Sequence, residues 1–269
     1  MREHPGTGTP VVMLHGLLDS SEGWDEVAGR SRRPCFAVDL PGFGGSTCPR
    51  YERIGSYARD VGRALDRLGL ERFVLVGHSF GGAVATALTE QRPDQVASLV
   101  LVAPAGYGRI ALAELAAGPI VRDAMRAALP LALATPLALS AIYSFWVANG
   151  MRPDEPLVAR CREQAFRAFP GARQAVRTIV RCGLDRRAFF RRTIDYSGPV
   201  IALFGERDRL VPVRHAERIR RAFPHADVMV WDGMGHHPQR ERVRPFCALV
   251  ERACRAVDGP SRPPLALAA

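Results

Sequence analysis

Phe73-Val74-Leu75-Val76-Gly77-His78-Ser79-Phe80-Gly81-Gly82-Ala83-Val84-Ala85-Thr86-Ala87-Leu88 is the stretch on which the reading of this chain turns. Its first four residues are β-branched, aliphatic or aromatic and carry no charge, as in a parallel strand buried on both faces. The run from Gly82 to Leu88 is small and apolar and reads as a helix. Between them stands Gly77-His78-Ser79-Phe80-Gly81. Strand, sharp turn and helix around G-x-S-x-G is the shape of a nucleophile elbow. The shape answers a chemical need, because a serine hydroxyl is a weak nucleophile and must stand clear of the sheet within reach of a base. A strained turn at Ser79 does this, while Gly77 and Gly81 let strand and helix cross closely. The helix N-terminus behind the turn favours negative charge in front of it.

The rest of the chain alternates around this unit. Pro10-Val11-Val12-Met13-Leu14 reads as a buried strand ending at His15-Gly16-Leu17-Leu18, and Ser20 and Ser21 are placed to cap a short helix through Trp24 and Val27. Cys35 to Asp39 is a second strand, stopped by the glycine-rich loop Leu40 to Ser46. Ala58, Val61, Leu65 and Leu68 recur at helical spacing after Ser56, with Gly69 as the stop. After the elbow helix, stopped by Pro93, Leu99 to Ala103 is a fourth strand. From about Ala105 to Ser197 the pattern is helical only, and Leu129 to Ala148 carries no charge. Pro130 and Pro136 break that stretch before it reaches membrane-spanning length, so short helices over an apolar pocket are expected instead. Strands resume at Val200 to Phe204, followed by Gly205-Glu206-Arg207-Asp208, and at Asp227 to Trp231, followed by Asp232-Gly233-Met234-Gly235-His236-His237. A closing helix buries Phe246, Leu249, Val250 and Ala253, and residues 258–269 read as a disordered tail. Strands alternating with helices imply an α/β fold with a mostly parallel central sheet, helices on both faces and ligands at the strands' C-terminal ends.

Composition narrows the function classes. The chain has 269 residues, 47% of them hydrophobic, and a formal net charge of +10 carried by 37 arginines and no lysine. The arginines are scattered, with no compact basic tract or nucleic-acid motif, so no nucleic-acid partner is expected. Six cysteines (Cys35, Cys48, Cys161, Cys182, Cys247, Cys254) show no C-x-x-C pair and read as reduced thiols of a cytoplasmic protein. The start has no apolar signal core, and stable membrane insertion is not expected. No metal or cofactor constellation is present: His236 and His237 are adjacent rather than helically spaced, and no cysteine lies near them.

His15-Gly16 after the first strand, the Gly77-to-Gly81 elbow, Asp208 after a late strand and Gly235-His236 after the last arrive in one order. On these four landmarks the chain resembles the α/β-hydrolase fold superfamily in its single-domain capped form, from about Pro10 to Val257. The resemblance implies a core of residues 1–104 and 197–257 and an all-helical cap inserted at 105–196. It departs at the start, since relatives usually carry an N-terminal β-hairpin before the His-Gly strand and here only Met1 to Thr9 precede it. Either residues are missing upstream or the sheet has a different edge. With the strand Cys35 to Asp39 unprotected, a homodimer is the expected consequence.

The resemblance also implies roles. Ser79 is the nucleophile, His236 its general base and Asp208 the residue that orients the imidazole. Asp232 and Asp39 are rival carboxylates, and His237 is the rival base, otherwise read as pocket wall. Backbone N–H groups of Phe80 and Leu17 match the oxyanion hole. His15 and His78 read as structural. The implied activity is cofactor-independent hydrolysis of an ester, lactone or thioester of a fairly apolar small molecule, with Phe145, Trp146 and His237 as pocket candidates. Two other readings stay open. One is a carbon–carbon bond hydrolase of the ring-cleavage-product type, with Arg173, Arg177, Arg181, Arg186 and Arg187 available to an acidic substrate. The other is a non-hydrolytic, isomerising, cyclising or ligand-binding member.

Overall fold

The structure is a computed structural model that describes residues 1–47, 53–111, 120–121, 123–124, 128, 135–142, 144 and 193–258. Among these, β1 (Arg2–His4), β2 (Val11–Leu14), β3 (Cys35–Val38), β4 (Phe73–His78), β5 (Val96–Val102), β6 (Val200–Gly205) and β7 (Asp227–Trp231) form one sheet in the order β1-β3-β2-β4-β5-β6-β7. β1 is antiparallel to β3 and every other neighbouring pair is parallel. The helices are α1 (Asp25–Gly29), α2 (Ile54–Arg67), α3 (Phe80–Gln91), α4 (Pro136–Ile142), α5 (Ala216–Ala222), α6 (Pro238–Glu241) and α7 (Val243–Arg255).

The two-residue period of the strands sorts their side chains into two cores. Val12, Leu14, Leu75, Leu99 and Leu101 face one way, onto a cluster with Ala58, Val61 and Leu65 of α2, Val84 and Leu88 of α3 and Ile219 of α5. Val11, Met13, Val74, Val76, Val100 and Val102 face the other way, onto Trp24, Val27 of α1 and Phe246, Leu249 and Val250 of α7. The uninterrupted apolar runs seen in the sequence thus belong to strands covered on both faces. The chain winds from β2 outward to β3 and then returns to β4, so the loops after β2 and β4 diverge at a switch point where the sheet opens a crevice.

Local chemistry sets the element ends. Gly69 (φ 67°) closes α2, with Gly69 N–H donating to Asp66 O and Leu70 N–H to Leu65 O, the two bonds of a Schellman cap. α2 begins at Ile54, ahead of the expected start at Ser56. Ser20 precedes a short 3₁₀ turn, Ser21–Trp24, but its hydroxyl does not cap it; Asp39 Oδ1 accepts the Ser21 N–H at 2.7 Å instead.

Two expectations at the chain ends are corrected. Cys35–Val38 is not a bare edge, because Arg2–His4 pairs along it, with Arg2 opposite Ala37 and His4 opposite Cys35. The edge strand is three residues long and polar, which is how sheet edges are ordinarily blunted. Asp258 does not belong to a loose tail. Its carboxylate pairs with Arg33 at 2.6 Å and accepts the Thr9 hydroxyl at 2.6 Å, while Arg33 also grips Glu251 at 2.8 Å. Residues 259–269, Phe145, Trp146, Arg173, Arg177, Arg181, Arg186, Arg187 and most of the proposed cap lie outside the described residues. Among the described residues no helix is long and apolar enough to cross a membrane, and Cys35, Cys247 and Cys254 are free thiols.

The seam between α7 and α1 gives a stability test. Phe246 is fully buried and stacks on Trp24 with ring centroids 6.1 Å apart. Phe246→Ala removes a large side chain from a closed layer and should lower unfolding free energy by about 3–5 kcal/mol in denaturant titration. A loss below about 1 kcal/mol would contradict this packing.

Candidate active site

The elbow is held from every side. Ser79 has φ 54° and ψ −115°, a conformation costly for any residue with a Cβ. Its N–H donates to Val102 O at 2.9 Å, and its carbonyl accepts N–H groups of Gly82 at 3.0 Å and Ala105 at 2.9 Å. Strand β5 and the start of α3 therefore over-determine the turn. Gly81 is required by close approach, since a Cβ there would collide with the Leu14 and His15 carbonyls of the loop after β2. From the other side, a Cβ on Gly16 would lie 3.3 Å from the Ser79 Cβ. The His15-Gly16-Leu17 loop thus lies directly against the elbow. Among the described residues no backbone carbonyl accepts the N–H of Leu17 or of Phe80.

Loops after β6 and β7 meet on the same end of the sheet. His236 Nδ1–H donates to Asp208 Oδ2 at 2.7 Å, and both side chains are almost wholly buried. The second oxygen, Oδ1, accepts the N–H groups of Leu210 and Val211, each at 2.8 Å. Asp208 is thereby engaged through both oxygens by N–H donors, and an imidazole that donates from Nδ1 turns Nε2 outward from the carboxylate. The elbow touches this loop through its own neighbour: His78 Nε2–H donates to the His236 carbonyl at 2.8 Å, with the two rings 4.8 Å apart. Glu241, at the end of α6, accepts the N–H groups of Gly235 at 2.7 Å and His237 at 3.1 Å, bracing the backbone on both sides of His236. Burial pushes the Glu241 carboxyl up from its ordinary range.

Four other buried histidines, His15, His78, His215 and His237, are pushed toward the neutral form. His15 donates from Nδ1 to Gly16 O at 2.7 Å and accepts the Leu40 N–H on Nε2 at 3.0 Å, both nitrogens committed to shaping the loop. Burial lowers its pKa. His78 and His237 are pushed well below the ordinary imidazole range, first by burial and then by neighbouring histidines. His237, proposed as pocket wall, packs with its ring 4.6 Å from His78 and 5.4 Å from His236. His215 is pushed down to about 4 by burial and by Arg214. Glu241 and His215 were not singled out from the sequence. Glu241 had a weak signal, an acidic residue one turn past His-His-Pro, whereas His215 had none. Among the described residues no group of three or more His, Cys, Asp or Glu side chains is arranged to hold a metal ion.

A family model described as alpha/beta hydrolase fold matches residues 9–243. The chain belongs to this family. An uncharacterised protein of Mycobacterium tuberculosis is 30% identical over 259 residues, covering 92% of this chain and 75% of that protein. A 2-hydroxymuconate semialdehyde hydrolase of Pseudomonas putida is 29% identical over 266 residues, covering 94% and 89%. Among solved structures, a thermophilic esterase from Thermogutta terrifontis superposes with a TM-score of 0.74 at 22% identity, over 96% and 93% of the two chains. As an alpha/beta hydrolase fold protein, the chain gathers the loops after β2, β4, β6 and β7 at one end of its sheet.

The lowered histidine pKa values set the sign of a stability profile. A histidine with a folded pKa near 4 and an unfolded pKa of about 6.5 favours folding above that upper value. That contribution is lost as pH falls from about 6.5 toward 4, at up to about 1.4 kcal/mol per pH unit per histidine. Unfolding free energy measured at pH 7.5, 6 and 5 should fall, and His215→Gln should make the fall shallower by one proton's worth. Identical slopes in both proteins would remove His215 from the account.

Proposed function

We propose that this protein is a cofactor-independent serine hydrolase acting on an ester, lactone or thioester of a fairly apolar small molecule. The observation that carries the reading is the 2.7 Å bond from His236 Nδ1 to a doubly anchored Asp208, which leaves a basic Nε2 on the loop that the elbow residue His78 holds. In this mechanism Ser79 Oγ attacks the acyl carbon while His236 Nε2 takes its proton, and Asp208 stabilises the imidazolium that forms. The carbonyl oxygen becomes an oxyanion facing the N–H groups of Leu17 and Phe80. Collapse expels the alcohol or thiol, which receives the proton from His236, and an acyl-serine remains. Water then attacks, gives its proton to His236, and the carboxylic acid leaves as Ser79 regains its hydrogen. Residues 105–196 are proposed to form a helical cap over this site, with the uncharged run Leu129 to Ala148 and its Phe145 and Trp146 walling the acyl pocket.

A second reading is favoured by one comparison. The 29% identical relative is a 2-hydroxymuconate semialdehyde hydrolase, and the proposed cap carries Arg173, Arg177, Arg181, Arg186 and Arg187 as partners for an acidic substrate. Cleavage of a carbon–carbon bond would employ the same three side chains.

Labelling with a fluorophosphonate probe, followed by turnover of an ester series, separates these readings. Labelling that is lost in Ser79→Ala, together with ester turnover, is the expected result. Ser79→Ala, His236→Ala and the double variant should each lose roughly a millionfold in kcat, because members of such a unit are not additive. Additive losses would break the assignment, and labelling without ester turnover would shift weight to the carbon–carbon reading. Each buried methylene contributes about 0.8 kcal/mol, so lengthening the acyl chain from two to about six carbons should raise kcat/KM by well over tenfold. Trp146→Ala should flatten that rise while sparing acetyl esters; an unchanged slope would remove Trp146 from the pocket.

A further inference from the structure

A second ion pair, largely but not wholly buried, ties down the turn that follows His236. Arg240 Nη2 sits 2.5 Å from Asp19 Oδ2, with side chains only 15% and 8% exposed. Asp19 lies two residues after Leu17, and Arg240 lies four residues after His236 on the single turn of α6. The pair therefore spans the loop after β2 and the loop after β7, segments 221 residues apart in sequence. Its space is shaped for it. A Cβ on Gly23 would meet Arg240 Nη2 and both Asp19 carboxylate oxygens, so the pair packs directly over the bare backbone of position 23. The α6 backbone is fixed as well, with Arg240 N–H donating to His237 O at 2.8 Å.

Stability does not explain this arrangement, since the desolvation cost of a buried ion pair roughly cancels its attraction and apolar replacements are often as stable. Position does. We infer that Asp19 and Arg240 are positioning residues that clasp the Leu17 loop to the His236 loop, fixing the distance between the oxyanion donors and the base. This inference rests on the hydrolase reading. In the acylation step positive charge grows on His236 and negative charge on the substrate oxygen, and donors already in place gain most from both. The pair is also neutral as a whole. His15, His78 and His237 all lie within the field of Arg240, and His15 within that of Asp19. Asp39 acts on His15 from the loop after β3, and Asp208 and His236 act on Glu241. Removing one partner alone leaves an uncompensated charge beside the imidazoles.

The test compares Asp19→Asn, Arg240→Gln and their double variant on a p-nitrophenyl ester from pH 5 to 9, beside Ser79→Ala and thermal melts. Each single variant should lower kcat on the order of tenfold to a hundredfold with KM nearly unchanged. The acid limb of activity should move to lower pH in Asp19→Asn, where the arginine repels an imidazolium, and to higher pH in Arg240→Gln, where the carboxylate attracts one. The double variant should restore the limb and keep the low kcat. Wild-type kcat in the single variants, or limbs that do not move in opposite directions, would overturn the clasp. If either single variant fails to fold, Asp19→Glu and Arg240→Lys keep both charges but misplace them. They should lower kcat without moving the limb, and wild-type kcat in both would overturn the proposal. An active Ser79→Ala would instead sink the hydrolase reading itself, whereas a dead Ser79→Ala beside unaffected clasp variants sinks the clasp alone.

Discussion

A residue with a side chain is held at φ 54° in the turn between β4 and α3, and the fold is arranged so that it cannot relax. Such a conformation costs on the order of 1–3 kcal/mol and persists only where surrounding bonds over-determine it. Here the Ser79 N–H is taken by Val102 O, and its carbonyl is shared between Gly82 and Ala105. Relaxing the turn would break the β5 contact and the first turn of α3 together. Strain at one residue is thereby spread over the centre of the sheet, where the buried strands are least able to move. The close glycines follow from this. Gly81 admits the carbonyls of the His15 loop, and Gly16 lets that loop lie against the Ser79 Cβ.

Bringing four loops onto one point buries many polar groups, and the structure keeps them neutral or paired. His15 has both nitrogens bonded to backbone, and His78 gives its Nε2–H to the carbonyl of His236. Burial pushes the pKa of these two imidazoles, and of His237, downward, so the two rings packed on His236, His78 and His237, favour the uncharged form. That matters to the proposed mechanism, in which His236 acquires a proton. Cationic neighbours would oppose the imidazolium, whereas neutral rings do not, and Arg240, a cation acting on these rings, has Asp19 against it.

The sheet was legible because its strands are covered on both faces and so read as unbroken apolar runs ending in glycine-rich or acidic loops. Cys35 to Val38, Phe73 to His78 and Val200 to Gly205 are of this kind. Arg2–His4 was not legible, because it is held by backbone pairing and by ion pairs to Glu22 and Asp25, with no apolar side chain to announce it. Asp258 was read as tail for a similar reason. Its anchor is Arg33, more than two hundred residues away, and a surface-composition rule is blind to such a partner. The same holds at the site. The spacing of Ser79, Asp208 and His236 along the chain carries a pattern, but Asp19, Arg240 and Glu241 become meaningful only once the loops are folded together.

Glu241 makes that last point in chemical terms. The loop between β7 and α6 carries His236. Two of its amide donors, on Gly235 and His237, are collected by one carboxylate one turn later. A carboxylate suits this because it offers two acceptor oxygens at once, and charge-assisted bonds to amides are stronger than neutral ones. The same choice carries a liability. Burial raises the Glu241 pKa, and a protonated carboxyl presents a hydroxyl to at least one N–H that needs an acceptor. The loop that positions His236 therefore loosens on the acid side for a reason separate from protonation of an imidazole. Four residues of α6 thus hold His236 from within its own loop through Glu241 and tie it to the opposite loop through Arg240.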